Sequence, residues 1–188
     1  MLTCDSHNFM FMHIQRTGGT SIRNLCHELS LKTKEKEFFH SHVNNLEDMS
    51  ILSKYQTFTF VRNPWDRIFS WYQFLMQYSG KQRTINFEDY VLNFEENNRS
   101  KNEKLDFIFN QYDYIYKDNE KLIDHIGKFE NYSDDVVRIF SKFNITVTSI
   151  PKVNDTKRKE YQDYYNLKTA SYIEEKCYKD IEHFNYKY

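Results

Sequence analysis

The chain has 188 residues, 39% of them hydrophobic and 28% charged, with a formal net charge of −1. This length suits one domain, residues 1–188, with a real core. The near-neutral balance argues against a nucleic-acid partner, which calls for a basic excess, and 4 Gly and 2 Pro leave little room for disordered linkers. With 15 Tyr and 16 Phe, the core must be largely aromatic.

Residues 9–14, F-M-F-M-H-I, read as a buried strand. A tight loop follows at 15–19, and a helix starts near Thr20 or Ser21. Gly18 and Gly19 let the backbone turn and approach a ligand. The loop amides and the helix N-terminus offer donors and partial positive charge to an anion, with Arg16 beside them. Taken alone, this stretch is either a phosphate cradle or a plain strand–helix connection capped by Thr20 or Ser21. The helix runs to Leu29, with Ile22, Leu25, Cys26 and Leu29 on one face. Residues 32–37 are a charge run, expected as a solvated turn. F-F-H-S-H-V at 38–43 is a short extended piece that puts His40 and His42 on the same side. Residues 46–53 suit a short helix.

Y-Q-T-F-T-F-V at 55–61 is the second strand, β-branched and aromatic. Arg62-Asn63-Pro64 ends it, and Pro64 sits where a helix begins. From Trp65 to Tyr78 an apolar stripe carries Trp65, Ile68, Phe69, Tyr72, Leu75 and Met76. Asp66, Ser70, Gln73 and Gln77 make a polar one. Residues 87–94 form a further helix, and 95–104 a polar loop. Strands are expected at 112–116 and 123–129. A helix at 133–143 should bury Val136, Val137, Ile139 and Phe140. A basic loop at 151–159 precedes closing helices at 161–165 and 169–184. Strands alternating with helices predict an α/β fold, three-layered and P-loop-like, with a mainly parallel central sheet flanked by helices. In such sheets ligands bind at the carboxyl ends of the strands, where both sharp loops sit.

Cys4, Cys26 and Cys177 are odd in number and form no C-x-x-C pair, which favours reduced thiols. No apolar run is long enough for a membrane span, and no secretory signal is visible. The expected compartment is the cytoplasm, or the Golgi lumen for a trimmed eukaryotic chain.

The loop departs from the nucleotide-kinase cradle. That pattern places Lys directly before the hydroxyl residue, whereas here Thr20 precedes Ser21. The second strand ends in Arg62, where a nucleotidase has a metal-binding acid. An Arg in that place suits an anion held without metal.

H-I-Q-R-T-G-G-T-S at 13–21 resembles the 5′-phosphosulfate loop of the 3′-phosphoadenosine 5′-phosphosulfate (PAPS)-dependent sulfotransferases. F-V-R-N-P-W-D-R-I-F-S-W-Y at 60–72 resembles their 3′-phosphate motif, in which the Arg and a Ser eight residues on grip the 3′-phosphate. The likeness is nearest to the carbohydrate sulfotransferases and their small bacterial and viral relatives. F-F-H-S-H-V is similar to the His-containing segment of heparan sulfate O-sulfotransferases, and I-G-K-F-E-N at 126–131 resembles a family strand ending.

The resemblance implies transfer of a sulfuryl group from PAPS to a hydroxyl-bearing acceptor, foremost a carbohydrate, leaving PAP and using no metal. Arg16, Thr17, Gly18, Gly19, Thr20 and Ser21 would surround the 5′-phosphosulfate. Arg62 can meet a phosphate bidentately, and Ser70 can donate a hydroxyl. Arg158, with Lys157 and Lys159, either closes over the nucleotide or belongs to a solvated charge run. His42 is the first choice as base for the acceptor hydroxyl, and His40 the second, orienting the acceptor. Both could instead be polar residues on an edge strand, or a metal pair lacking further ligands. His13 reads as a core histidine. The family commonly has Lys where Arg16 stands. Arg supplies charge but is a poor proton donor, so the resemblance implies either electrostatics alone at that point or reduced activity. A non-catalytic PAP(S)- or glycan-binding module and a metal-dependent nucleotide kinase are the alternatives. The loops at 77–86 and 95–106 would form the acceptor site and carry no readable code.

Overall fold

A computed structural model describes residues 1–35, 50–78, 85–98, 109–150 and 160–188. The chain opens with strands β1 (Leu2–Cys4) and β2 (Phe9–Phe11), helix α1 (Gly19–Glu28) and strand β3 (Thr33–Glu35). Helix α2 (Ser50–Lys54), strand β4 (Gln56–Val61) and helices α3 (Pro64–Tyr78), α4 (Phe87–Leu92) and α5 (Phe94–Asn98) follow. A 3₁₀ turn at Gln111–Tyr114 leads to a small hairpin, β5 (Tyr116–Lys117) and β6 (Glu120–Lys121), and then to β7 (His125–Lys128). A 3₁₀ turn at Phe129–Asn131 enters α6 (Tyr132–Lys142), and a third at Tyr161–Tyr164 precedes α7 (Leu167–Lys176) and α8 (Tyr178–Phe184). Among the described residues no helix is long and apolar enough to cross a membrane.

These elements form two compact units, one of Met1–Arg62 with Asp113–Thr156, the other of Asn63–Tyr112 with Lys157–Tyr188. The fold is α/β, with a five-stranded central sheet flanked by helices. Its strand order is β3-β1-β2-β4-β7, and the sheet lies in the first unit. β2, β4 and β7 are parallel, in register Phe11 to Phe58 and Phe60 to Gly127. β1 and β3 add an antiparallel edge.

Because strand side chains alternate, Phe9, Phe11, Phe58 and Phe60 share one face. They pack with Ile22, Leu25 and Cys26 of α1 and with Val136, Ile139 and Phe140 of α6. The rings meet edge-on, tilted or stacked: Phe58 to Phe140 is 5.8 Å between centroids, Phe9 to Phe143 is 5.1 Å and Phe11 to Phe58 is 4.9 Å. Such pairs each contribute about 0.5–1.5 kcal/mol beyond their burial. Met10, Thr57, Thr59 and Val61, on the opposite face, are buried as well, as expected of parallel strands. Their polar atoms are satisfied. The Thr57 hydroxyl donates to Asp124 Oδ2 at 2.9 Å, and the Thr59 hydroxyl donates to the Met12 carbonyl at 2.6 Å.

In the second unit α3, α4, α5 and α7 close around Trp65, Ile68, Phe69, Phe87, Tyr90, Phe94 and Ile173. Asn63 caps α3, its side-chain oxygen accepting from the Trp65 amide at 3.1 Å, and Pro64 takes the first helical position. A buried polar knot lies nearby. Asp180 accepts from the Gln111 side chain at 2.9 Å and from the Tyr112 amide at 2.8 Å, while Arg67 donates to the Phe109 carbonyl at 3.0 Å.

Several expectations need correction. The charge run at 32–37 contains strand β3, whose Lys34 and Glu35 pair with Asp5 and Arg23. Charge on an edge strand deters pairing with other chains and hides its strand character. Residues 1–8, given no element, supply β1, which needs β2 as partner. The polar stretch after Phe94 starts as helix α5, with Glu95 and Glu96 favourable in its first turn. Residues 112–116 are a 3₁₀ turn and a hairpin strand, since Asp180 takes the Tyr112 amide. Val137 is 46% exposed because the stripe of Val136, Ile139 and Phe140 runs past it. Ser70, placed on a polar stripe, is buried, and so is Arg67. The closing helix breaks at Cys177, which is buried against the Phe109 carbonyl.

Candidate anion-binding site

The site grows from the end of β2. The Met12 amide donates to the Phe58 carbonyl at 2.8 Å, extending the ladder one residue. Its carbonyl takes the Thr59 hydroxyl. Held on both sides, the chain leaves the sheet in a set direction. The strand is therefore shorter than residues 9–14, and its last part serves as the stem of the loop.

Three loop carbonyls are taken by donors. The Thr17 hydroxyl donates to the Ile14 carbonyl at 2.8 Å, and Arg62 Nη1 donates to the Arg16 carbonyl at 3.0 Å. The Tyr132 hydroxyl donates to the Gly18 carbonyl at 2.7 Å, which also accepts the Ser21 amide at 2.9 Å. The backbone alternates in hand: φ is 65° at Arg16 and 93° at Gly18, with Thr17 between them outside the positive-φ region. Such alternation gathers successive amides into an anion-binding concavity. Gly18 is needed both for its φ and because a Cβ there would lie 2.5 Å from the Tyr132 ring. At Gly19 a Cβ would run into the His13 ring, which is buried and stacked on Phe11.

α1 starts at Gly19, one residue before the position expected, with Gly18 as its N-cap. No side chain caps it, and its first turn holds no acidic residue. Its amides and dipole are thus offered to an anion. Thr20 is exposed at the second helical position, while Thr17 and Ser21 are buried. Thr17 secures the turn, and Ser21 sits beside the Tyr132 hydroxyl.

A cation fixed against the loop is Arg62, the residue after β4. Its guanidinium carbon lies 4.2 Å from the centre of the Phe129 ring, and the residue is 4% exposed. Ring and carbonyl together fix the plane of the guanidinium. Burial pushes the Tyr132 hydroxyl far above the ordinary tyrosine range, so it remains a donor to Gly18. Uncapped amides, alternating backbone and a fixed guanidinium form a donor set that fits a phosphate or sulfate group.

A sequence model of the Sulfotransferase family matches residues 1–187. The chain belongs to the sulfotransferase family. No curated protein matches it. Among solved structures, this sulfotransferase is similar to a sulfotransferase from Alicyclobacillus acidocaldarius. The two share 14% identity over 96% of each chain, with a TM-score of 0.54, which is a likeness of fold.

In the sulfotransferase chain the residues at 16–21 and Arg62 come together in the first unit. Ser70 lies in the second unit, two turns into α3 and 4% exposed. His40, His42 and Arg158 lie outside the described residues. Four residues that shape the loop receive no role from the sequence: Gln15, which lies within the 13–21 motif, Tyr114, Phe129 and Tyr132. Phe129 does stand in the I-G-K-F-E-N segment, and Tyr132 directly follows that segment.

Proposed function

We propose that this sulfotransferase moves a sulfuryl group from PAPS to an acceptor hydroxyl, foremost on a carbohydrate. The observation that carries this reading is the pairing of the alternating loop with Arg62. They sit at the carboxyl ends of adjacent parallel strands and are joined by the 3.0 Å bond from Arg62 to the Arg16 carbonyl. Bound PAPS would supply the sulfuryl group and a phosphate leaving group. The amides of 17–21 and the Arg16 charge would stabilise the negative charge growing on the bridging oxygen. Arg62 with Ser70 would hold the 3′-phosphate, and Arg158 would close on the nucleotide. His42 would take the acceptor proton as the new S–O bond forms and the old one breaks, with His40 orienting the acceptor. The donor set is cationic and amide-based, which supports transfer without metal. The three buried, free cysteines suit a reducing compartment such as the cytoplasm.

Titration with PAP, PAPS and ATP, with and without Mg²⁺, tests the donor. Tight PAP binding without metal is expected, and binding of ATP–Mg²⁺ alone would favour a kinase. Transfer of labelled sulfate to a panel of hydroxyl acceptors then tests catalysis, and His42→Ala is expected to lose it. Full activity in that variant would remove His42 as the base. Arg16 in place of lysine favours a second reading, a non-catalytic PAP(S)- or glycan-binding module. PAP binding without transfer to any acceptor would support it.

A further inference from the structure

We infer that Phe129 and Tyr132, on one short segment after β7, are positioning residues for the two ends of the nucleotide site. The inference rests on the PAPS reading above and assigns roles to residues which that reading leaves out. The segment is itself fixed. The Lys128 amide donates to Asp135 Oδ2 at 2.7 Å, and Arg138 Nη2 donates to the Ile126 carbonyl at 3.1 Å, so α6 grips the end of β7. Between these anchors the two rings stand 5.6 Å apart, and Tyr132 packs on Phe60 at 4.9 Å.

Each ring acts on a different element. Tyr132 holds the Gly18 carbonyl at 2.7 Å and fills the space where a side chain at 18 would be. It thereby sets the turn whose amides face the 5′ end. Phe129 lies against the Arg62 guanidinium at 4.2 Å and sets the plane in which that group meets the 3′-phosphate. Neither ring need touch the nucleotide. The segment ties the spacing of the two anion-binding elements to the end of one strand.

The division of labour predicts a ligand-selective loss. PAP carries both phosphates, whereas adenosine 5′-phosphosulfate lacks the 3′-phosphate. In calorimetric titrations of the full chain, Tyr132→Phe should weaken both ligands by the same factor, about threefold to tenfold, the worth of one net hydrogen bond. Phe129→Leu should weaken PAP by about threefold to tenfold, as loss of a cation–π contact implies, and leave adenosine 5′-phosphosulfate unchanged. Phe129→Tyr should restore PAP binding. Thermal melts of each variant report the fold. Equal losses for both ligands in Phe129→Leu, or no loss in either variant, would overturn the assignment while the PAPS reading stands. If the wild-type chain binds neither nucleotide, the PAPS reading fails and the assignment with it.

Discussion

The Tyr114 hydroxyl donates to the side-chain oxygen of Gln15 at 2.6 Å, between two residues 99 apart in sequence and both buried. Gln15 immediately precedes Arg16, so this bond holds the entrance of the glycine loop to the last residue of the 3₁₀ turn. Tyr114→Phe keeps the ring and removes the donor to a buried oxygen. It should destabilise the fold by about 1–3 kcal/mol, read from urea midpoints. PAP affinity should fall with it, and unchanged values of both would show that the bond does not hold the loop.

Gly18→Ala meets two obstacles, a φ of 93° and the Tyr132 ring 2.5 Å from the new methyl. The expected cost is about 2–4 kcal/mol, from backbone strain and overpacking together. Because part of that cost is the ring, Gly18→Ala with Tyr132→Leu should be less unstable than the sum of the single changes. Strict additivity in denaturant unfolding would place the whole cost in the backbone.

Arg16 is a permanent cation where the family commonly has lysine. On the proposed PAPS reading, Arg16→Lys would keep the charge and add a group able to give up a proton to the leaving phosphate oxygen. We expect kcat to rise on the order of tenfold with KM nearly unchanged, a fraction of the ~10²–10⁴ that a positioned acid supplies. A fall in kcat would show that the guanidinium geometry matters more than proton donation.

Asp180 is fully buried, and desolvation pushes its carboxyl up to about 6 despite the opposing hydrogen bonds from Gln111 and Tyr112 and the charge of Arg67. Folding therefore takes up a proton between the ordinary carboxyl value of 3.8 and that value. The stability this group contributes is fully present below the lower value. It falls as pH rises through the window and is constant above it, a change on the order of 3 kcal/mol. Asp180→Asn should remove that slope. Unfolding midpoints from pH 4 to 7 for the two proteins should diverge across the window, and parallel curves would count against the shift.

Much of the fold is legible in the sequence because its signals are local. The alternation of Phe58, Thr59 and Phe60 marks a strand, Asn63-Pro64 marks a helix start, and Ile22, Leu25 and Cys26 mark a buried face. The glycine turn and Arg62 at the strand end are likewise legible, and on the proposed reading they form an anion site. β1 and β3 are not legible in the same way. Their character depends on partners supplied elsewhere, and β3 is masked further by its charge. The exposure of Val137 and the burial of Arg67 and Ser70 depend on neighbours that no periodicity names.

Read alone, the chain announces an α/β sheet with an amide-rich loop and an arginine, each at the carboxyl end of a strand; that the two strands are neighbours comes from the fold. Those features arise from residue type and spacing along one stretch of backbone. How loop and arginine are held depends on contacts made across the folded chain. The Gly18 carbonyl is bonded by Tyr132, Gln15 by Tyr114, and the Arg62 guanidinium lies on Phe129. These contacts join residues 67 to 114 positions apart in the chain. Hydrogen bonds and ring stacking depend on distance in space, and folding alone sets that distance.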